Sequence, residues 1–453
     1  MQPMFSLGKI SDDARRVRSC AIGADRQTAN LAFQAVSAVE MHLLHRGWPV
    51  GEALGAIPEF QKVLGLGRPA CHEAIIILEA RGLVDVRRGR NGGLFVAAPT
   101  VEDVVGAMLM YLAISSARTE CIQQFRLFTW RMVVEAAIKR GIVCFDAIGG
   151  ASQWGFAFDL AQFIGNPAIA LASQISEMLV HACDGRAAFV RDALLETAIK
   201  ARDMARAVSR LEVLAGSMEL SEPILALETI EHRFVRSERR SAMGLAARIA
   251  REMIHRPDAA EAEWETAERL GYPDLVVRQA RRILQDLGIV QCRRGSKGAL
   301  RAQPAGPGGV VRLLTPCLIA RGMTSKDSTE AFYFLATGAA RMGAVRGGGF
   351  RAAPLEAIGS NADSLDLFDL LRTENLLLDL AGNPLLSIMA RATGLANLPR
   401  ERPIGMPVRV EIMRSNQRIL RAIMAGDGES AAALARAKAE ALQQSADSQV
   451  RIA

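Results

Sequence analysis

Apolar residues recur at helical spacing through most of the chain, and only two short stretches alternate as strands do. Val277, Ala280, Leu284 and Leu287 fall on one face of a helix, with Arg278, Gln279, Arg281 and Arg282 away from that stripe. Directly after it, Ile289-Val-Gln-Cys-Arg-Arg-Gly-Ser-Lys-Gly alternates and turns between Gly295 and Gly298. This predicts a hairpin with Arg293, Arg294 and Lys297 around its tip. The same plan stands earlier in the chain. Cys71, Ala74, Ile75 and Leu78 form an inward stripe, Arg68 and His72 lie off it, and a hairpin over 86–96 carries Arg87, Arg88, Arg90 and Asn91. Ala/Leu-rich amphipathic stretches at 104–114, 121–140, 168–182 and 191–215 predict further helices, with few strand signals among them.

The two plans are copies of one pattern. Leu78-Glu-Ala-Arg-Gly-Leu-Val-Asp-Val-Arg-Arg-Gly recurs as Leu284-Gln-Asp-Leu-Gly-Ile-Val-Gln-Cys-Arg-Arg-Gly, 206 positions later. His45-Arg46 matches His255-Arg256 at an offset of 210, so the second copy lacks four residues around the turn-rich Gly47-Trp-Pro-Val-Gly. Leu160-Ala-Gln-Phe-Ile-Gly-Asn-Pro resembles Leu377-Leu-Asp-Leu-Ala-Gly-Asn-Pro, and Ala198-Ile-Lys-Ala-Arg-Asp resembles Ala422-Ile-Met-Ala-Gly-Asp, with order kept throughout. Breakers at 97–100 and 303–309 divide each copy again. The expected organisation is a flexible tail over 1–24, winged-helix domains over 25–99 and 236–304, and all-helical domains over 100–228 and 308–445. The fold class is mainly α.

A net charge of +7 and a pI of 9.2 permit attraction to an acidic polymer, and their placement sharpens the point. A groove-reading helix needs one apolar side for its own core and one polar or basic side for the major groove, followed by a hairpin that brings cations to phosphate. A single arginine-bearing stretch is as readily a solvated surface. Two copies in the same order favour the binding reading. The first copy's helix is the weaker reader, because His72, Glu73 and Ile76 stand where the second has arginines.

Several chemistries are disfavoured. The seven cysteines form no Cys-x-x-Cys pair and fit a reducing compartment, and no uncharged run approaches the roughly 20 residues of a bilayer span, so a cytoplasmic chain with no membrane partner is expected. The sequence carries no Walker A motif, no Gly-x-Ser-x-Gly and no His-Glu-x-x-His, and an enzyme is not expected. His42 and His45 share a helix face without a third ligand, and His181 reads as a structural histidine. Asp363, Asp366 and Asp369, interleaved with leucines and Phe368, read as the wet side of an amphipathic helix.

The run Gly65-Leu-Gly-Arg-Pro-Ala-Cys-His-Glu-Ala, through Leu78-Glu-Ala-Arg-Gly-Leu-Val to Arg87-Arg-Gly-Arg-Asn-Gly-Gly-Leu-Phe-Val, resembles the winged helix of the GntR family of transcription regulators. Val277-Arg-Gln-Ala-Arg-Arg-Ile-Leu is similar to the same helix, and the Gly-Asn-Pro segments resemble the family's FadR-type sensing domain. The resemblance implies a regulator that binds double-stranded DNA, is modulated by a small-molecule effector, and pairs its readers as a homodimer or, here, within one chain. The family's Ser-Arg at the start of the recognition helix stands as Gly67-Arg68 and as Pro273-Asp274, so the copies depart from it differently. The resemblance also implies a divalent metal held by histidines and an aspartate. Those positions map to Ala157, Asp192 and Leu214 in the first copy and to Glu374, Asn416 and Lys438 in the second, so neither metal nor another cofactor is expected. The alternative is a protein-interaction module whose degenerate winged helices have little affinity for DNA.

Overall fold

The computed structural model describes residues 31–89, 92–115, 117, 119–146, 148, 153–184, 191–215, 220, 223, 227–228, 241–256, 261–292, 300–303, 306–346, 367–397 and 405–450. The described chain is mainly helical, as the apolar spacing predicts. The first half runs α1 (Leu31–His45), β1 (Ala53–Gly55), α2 (Ile57–Leu64), α3 (Arg68–Ala80), β2 (Val84–Arg87), β3 (Gly93–Val96), α4 (Val101–Ile114), α5 (Glu120–Lys139), α6 (Phe156–Ile164), α7 (Pro167–Asp184), α8 (Ala193–Lys200) and α9 (Met204–Ala215). The second runs α10 (Ser241–His255), α11 (Glu263–Leu270), α12 (Asp274–Asp286), β4 (Val290–Cys292), β5 (Leu300–Ala302), α13 (Gly308–Ile319), α14 (Ser325–Arg346), α15 (Leu367–Leu380), α16 (Pro384–Asn397), α17 (Met406–Met424) and α18 (Gly428–Val450). Apart from β1, the element order is the same in both.

The turns that end these helices repeat as well, because the residues that make them repeat. Gly82 and Gly288 leave α3 and α12 with φ of 68° and 71°, a left-handed conformation that costs glycine nothing. Leu83 N–H then donates to Leu78 O at 2.9 Å, and Ile289 N–H to Leu284 O at 3.2 Å. Arg202 and Gly426 take the corresponding left-handed position between the last two helices of each half. Asp203 and Asp427 follow them, each accepting a helix-capping bond at 2.9 Å, from Arg206 N–H and Ser430 N–H.

Each three-helix group ends in a small antiparallel hairpin. In the first half β2 pairs with β3, Val84 opposite Val96, and β1 adds to the other edge of β3. Trp48 is buried beside that sheet and donates its indole N–H to Ala97 O at 2.7 Å, which ties the loop after α1 to the end of the hairpin. In the second half β4 pairs with β5 alone, Val290 opposite Ala302.

The halves pack against each other across an approximate twofold relation. α3 lies against α12, α4 against α13 and α5 against α14, while α7 meets α14 and α16 meets α5. α4 and α13 are buried along most of their length, with Glu102 and Asp103 in the first turn of α4 and Arg312 of α13 half-buried, and sit inside one core cluster that extends from α1 to α16. The two Gly-Asn-Pro asparagines make the relation visible at atomic scale. Asn166 caps α7 by accepting from Ala168 N–H and Ile169 N–H, and its amide donates to Asp327 O, in the first turn of α14, at 3.1 Å. Asn383 caps α16 by accepting from Leu385 N–H and Leu386 N–H, and donates to Cys121 O, in the first turn of α5, at 2.8 Å. Where α5 crosses α14, a Cβ on Gly338 would stand 2.1 Å from the ring of Phe128, so only glycine lets the helices approach this closely. Among the described residues no helix is long and apolar enough to cross a membrane.

Candidate nucleic-acid interface

α3 and α12 pack on each other, joined by the Glu73–Arg282 pair and, at their C-terminal ends, by Arg81–Asp286, while their first turns stay exposed. Ile76, expected on the outer face of α3, is buried instead, while Arg68, Pro69 and His72 are exposed. On α12, Asp274, Leu275 and Arg278 are exposed and Gln279 is half-buried. Two positions expected to face outward are corrected by the structure. Arg281 is buried and donates to Glu261 O at 3.2 Å, since it stands one helical turn from both Val277 and Leu284 and so borders the apolar stripe. Arg282 is half-buried, hydrogen-bonded to Gln285 at 2.7 Å and ion-paired with Glu73 of α3, so it joins the halves rather than facing outward. Arg278 stays outside, with its Nε donating to Glu263 at 2.9 Å.

The first hairpin presents Arg87 and Arg88 to solvent. The Arg87 guanidinium stacks over the Phe95 ring at 3.9 Å, which holds a long side chain in place while keeping its charge available. Arg90, Asn91, Arg293, Arg294 and Lys297 lie outside the described residues, as do Asp363 and Asp366.

Below the paired helices sits a buried ionic hub. Arg81, at the end of α3, donates its Nε to Asp286 of α12 at 2.6 Å, makes a second bond to the same carboxylate, and is paired with Glu40 of α1. Burial alone weakens the guanidinium's hold on its proton. Asp286 and Glu40 more than offset that and keep it well above the ordinary arginine value. Neither this hub nor the Glu73–Arg282 pair has a mirror image. The repeat places Leu287 and Ala80 opposite Arg81 and Asp286, and Gln279 and Ile76 opposite Glu73 and Arg282. Backbone capping across the halves is therefore reciprocal, whereas the charges run one way.

Further from this surface, the structure brings together the three second-half positions that the sequence aligned with metal ligands. Asn416, wholly buried on α17, donates to Glu374 of α15 at 3.0 Å and accepts from the Lys438 ammonium of α18 at 2.7 Å, while Lys438 also pairs with Glu374. The donor set does not fit a borderline divalent cation: a protonated lysine has no lone pair to give, and the site offers no imidazole. In the first half Asp192 caps α8 and binds Arg210 at 2.7 Å. That bonding holds its carboxyl below the usual range. His42 titrates below its ordinary value, chiefly from burial, and His181 is half-buried with Trp154 edge-on at 6.2 Å.

No family model, curated protein or solved structure matches this chain. What it can do therefore rests on its own geometry. The hub escaped sequence reading because Arg81 and Asp286 lie 205 positions apart, and no local periodicity links them. The Glu374, Asn416 and Lys438 cluster had a signal, since the resemblance to the FadR-type sensing domain had already placed all three at ligand positions of one site.

Proposed function

We propose that this chain is a DNA-binding transcription regulator that carries two winged-helix readers and presents them as a built-in pair. The observation that supports this best is the packing of α3 on α12 with both N-terminal turns open, because the start of a recognition helix is the part that enters a major groove. Arg68 and His72, with Arg87 and Arg88 on the hairpin, form the first reading end; among the described residues Arg278 is the exposed cation of the second. Asp274 repels phosphate where Arg68 attracts it, so the ends read unequally and suit an asymmetric site. One-way charge pairing supports a single chain as the reading unit, since each half fits the other better than it fits itself. The direct contact of α3 with α12 sets the readers' separation, and the helical domains packed beneath it are where an effector would shift that contact.

The test is the variant Arg87→Ala/Arg88→Ala. Its DNA affinity should fall about tenfold or more at moderate salt, and its slope of log affinity against log salt should become shallower by about two. An unchanged slope would remove the hairpin from the interface. A second reading, docking of another protein, is favoured by a specific patch: Trp264 and Leu275 are 56% and 46% exposed beside an Arg278 already engaged by Glu263. Substituting Trp264→Ser, on α11 and outside the reading helices, would separate the two, as it would weaken protein capture and leave DNA affinity nearly unchanged.

A further inference from the structure

A cavity of about 60 Å³ lies in the second helical half, among α14, α15, α17 and α18. At the ~10–15 Å³ that one water occupies by this measure, it has room for a molecule of roughly four to six heavy atoms. Phe332, Leu377, Ile419 and Ala435 give it apolar walls, and Glu374 and Lys438 close one end. That end is already neutral, because the Lys438 ammonium is paired with the Glu374 carboxylate and Asn416 adds no charge.

We propose that this cavity binds a small uncharged molecule with an apolar tail and an amide-like head, and rejects the matching carboxylate. Two of the three Lys438 N–H groups go to Glu374 and Asn416, which leaves the third to donate to a carbonyl. The Glu374 carboxylate keeps lone pairs for an incoming N–H. An amide satisfies both without bringing a charge. A carboxylate would add a second anion beside Glu374, with no further cation, in a site walled by hydrocarbon, where an unpaired charge is costly. A divalent cation at this place would give the opposite selectivity, so the lysine decides the class of ligand. The inference stands whether or not the chain binds DNA.

The experiment is a ligand-detected NMR titration of the full chain, without DNA, using butyramide and butyrate, which have the same shape and differ in charge. Butyramide should bind saturably and at least about tenfold more tightly than butyrate, a gap of about 1.4 kcal/mol. Glu374→Gln makes the polar end cationic and should narrow or reverse that preference. Ala435→Leu fills the cavity and should abolish butyramide binding, with Ala339→Val as the milder filling variant should the first fail to fold. Equal or tighter binding of butyrate to the native chain, failure of both probes to bind, or butyramide binding that survives a folded cavity-filling variant would each overturn the proposal.

Discussion

Replacing Arg81 by methionine should lower the unfolding free energy by about 3–5 kcal/mol, because the buried Glu40 and Asp286 carboxylates would lose the guanidinium that bridges them, and Arg312 stands 3.9 Å from the Asp286 carboxylate, beyond hydrogen-bond distance. The loss is large because all three side chains are buried, where an uncompensated charge is costly. Urea melts of the two proteins followed by circular dichroism measure it directly. Replacing all three residues with apolar ones of similar volume, as Glu40→Met, Arg81→Met and Asp286→Leu, should recover most of the stability, since a buried ion cluster and a well-packed apolar cluster are often near parity. The two variants should differ from wild type in DNA binding for another reason. The triple variant keeps the core but discards the one-way charge complementarity that holds α3 against α12. A destabilisation below about 1 kcal/mol for Arg81→Met would mean that the hub contributes little.

Arg126→Met should cost a similar ~3–5 kcal/mol at neutral pH, with a pH dependence that identifies its cause. Arg126 of α5 donates to the two Glu177 oxygens at 3.1 and 2.7 Å, and Trp130 donates its indole N–H to the same carboxylate at 2.7 Å. Burial already pushes the Glu177 carboxyl above its ordinary value, and Arg126 and the two sets of hydrogen bonds only partly offset it. Without Arg126 the folded-state value rises further. A carboxyl whose folded value lies above its unfolded one contributes stability that is complete below the unfolded value and is lost as pH rises through the folded one. The deficit of Arg126→Met should therefore shrink as pH is lowered from 7 to 5, and adding Glu177→Gln should make the deficit independent of pH over that range. Melts at three pH values decide it; a deficit that grows on acidification would show that the lost cation is not what Glu177 responds to.

Much of the fold was legible because it is written in short-range signals. Glycines at 82 and 288 end equivalent helices, the Asp at 203 and 427 start equivalent ones, and the asparagines at 166 and 383 cap a third pair, so similar local sequence produced similar local geometry. The candidate reading surface was legible only in part. Arg68, His72 and Arg278 reach solvent as their helical spacing suggests. Ile76 and Arg282 do not, because the surface they would have faced is covered by the other half of the chain, and Arg281 does not, because it borders its own helix's apolar stripe and bonds Glu261 O. A helical wheel drawn for one element carries no information about a neighbour some 200 residues away. For the same reason Arg81 looked like an ordinary residue at a helix end, although it links α1, α3 and α12. The Glu374, Asn416 and Lys438 cluster was anticipated as a set of positions but not as a neutral polar end to a cavity, a property that depends on which charges meet.

The most direct test of a two-reader single chain is a fluorescence titration of the purified protein into duplex fragments of its own upstream region. It should be run at several salt concentrations with competitor DNA, and the mass of the saturated complex measured by native mass spectrometry. The expected result is saturable, competitor-resistant binding that weakens steeply with salt, in a complex of one chain per duplex whose strongest site is not palindromic. Weak binding that is indifferent to sequence across a genomic fragment library, or a specific complex that forms only with two chains on a palindrome, would contradict it.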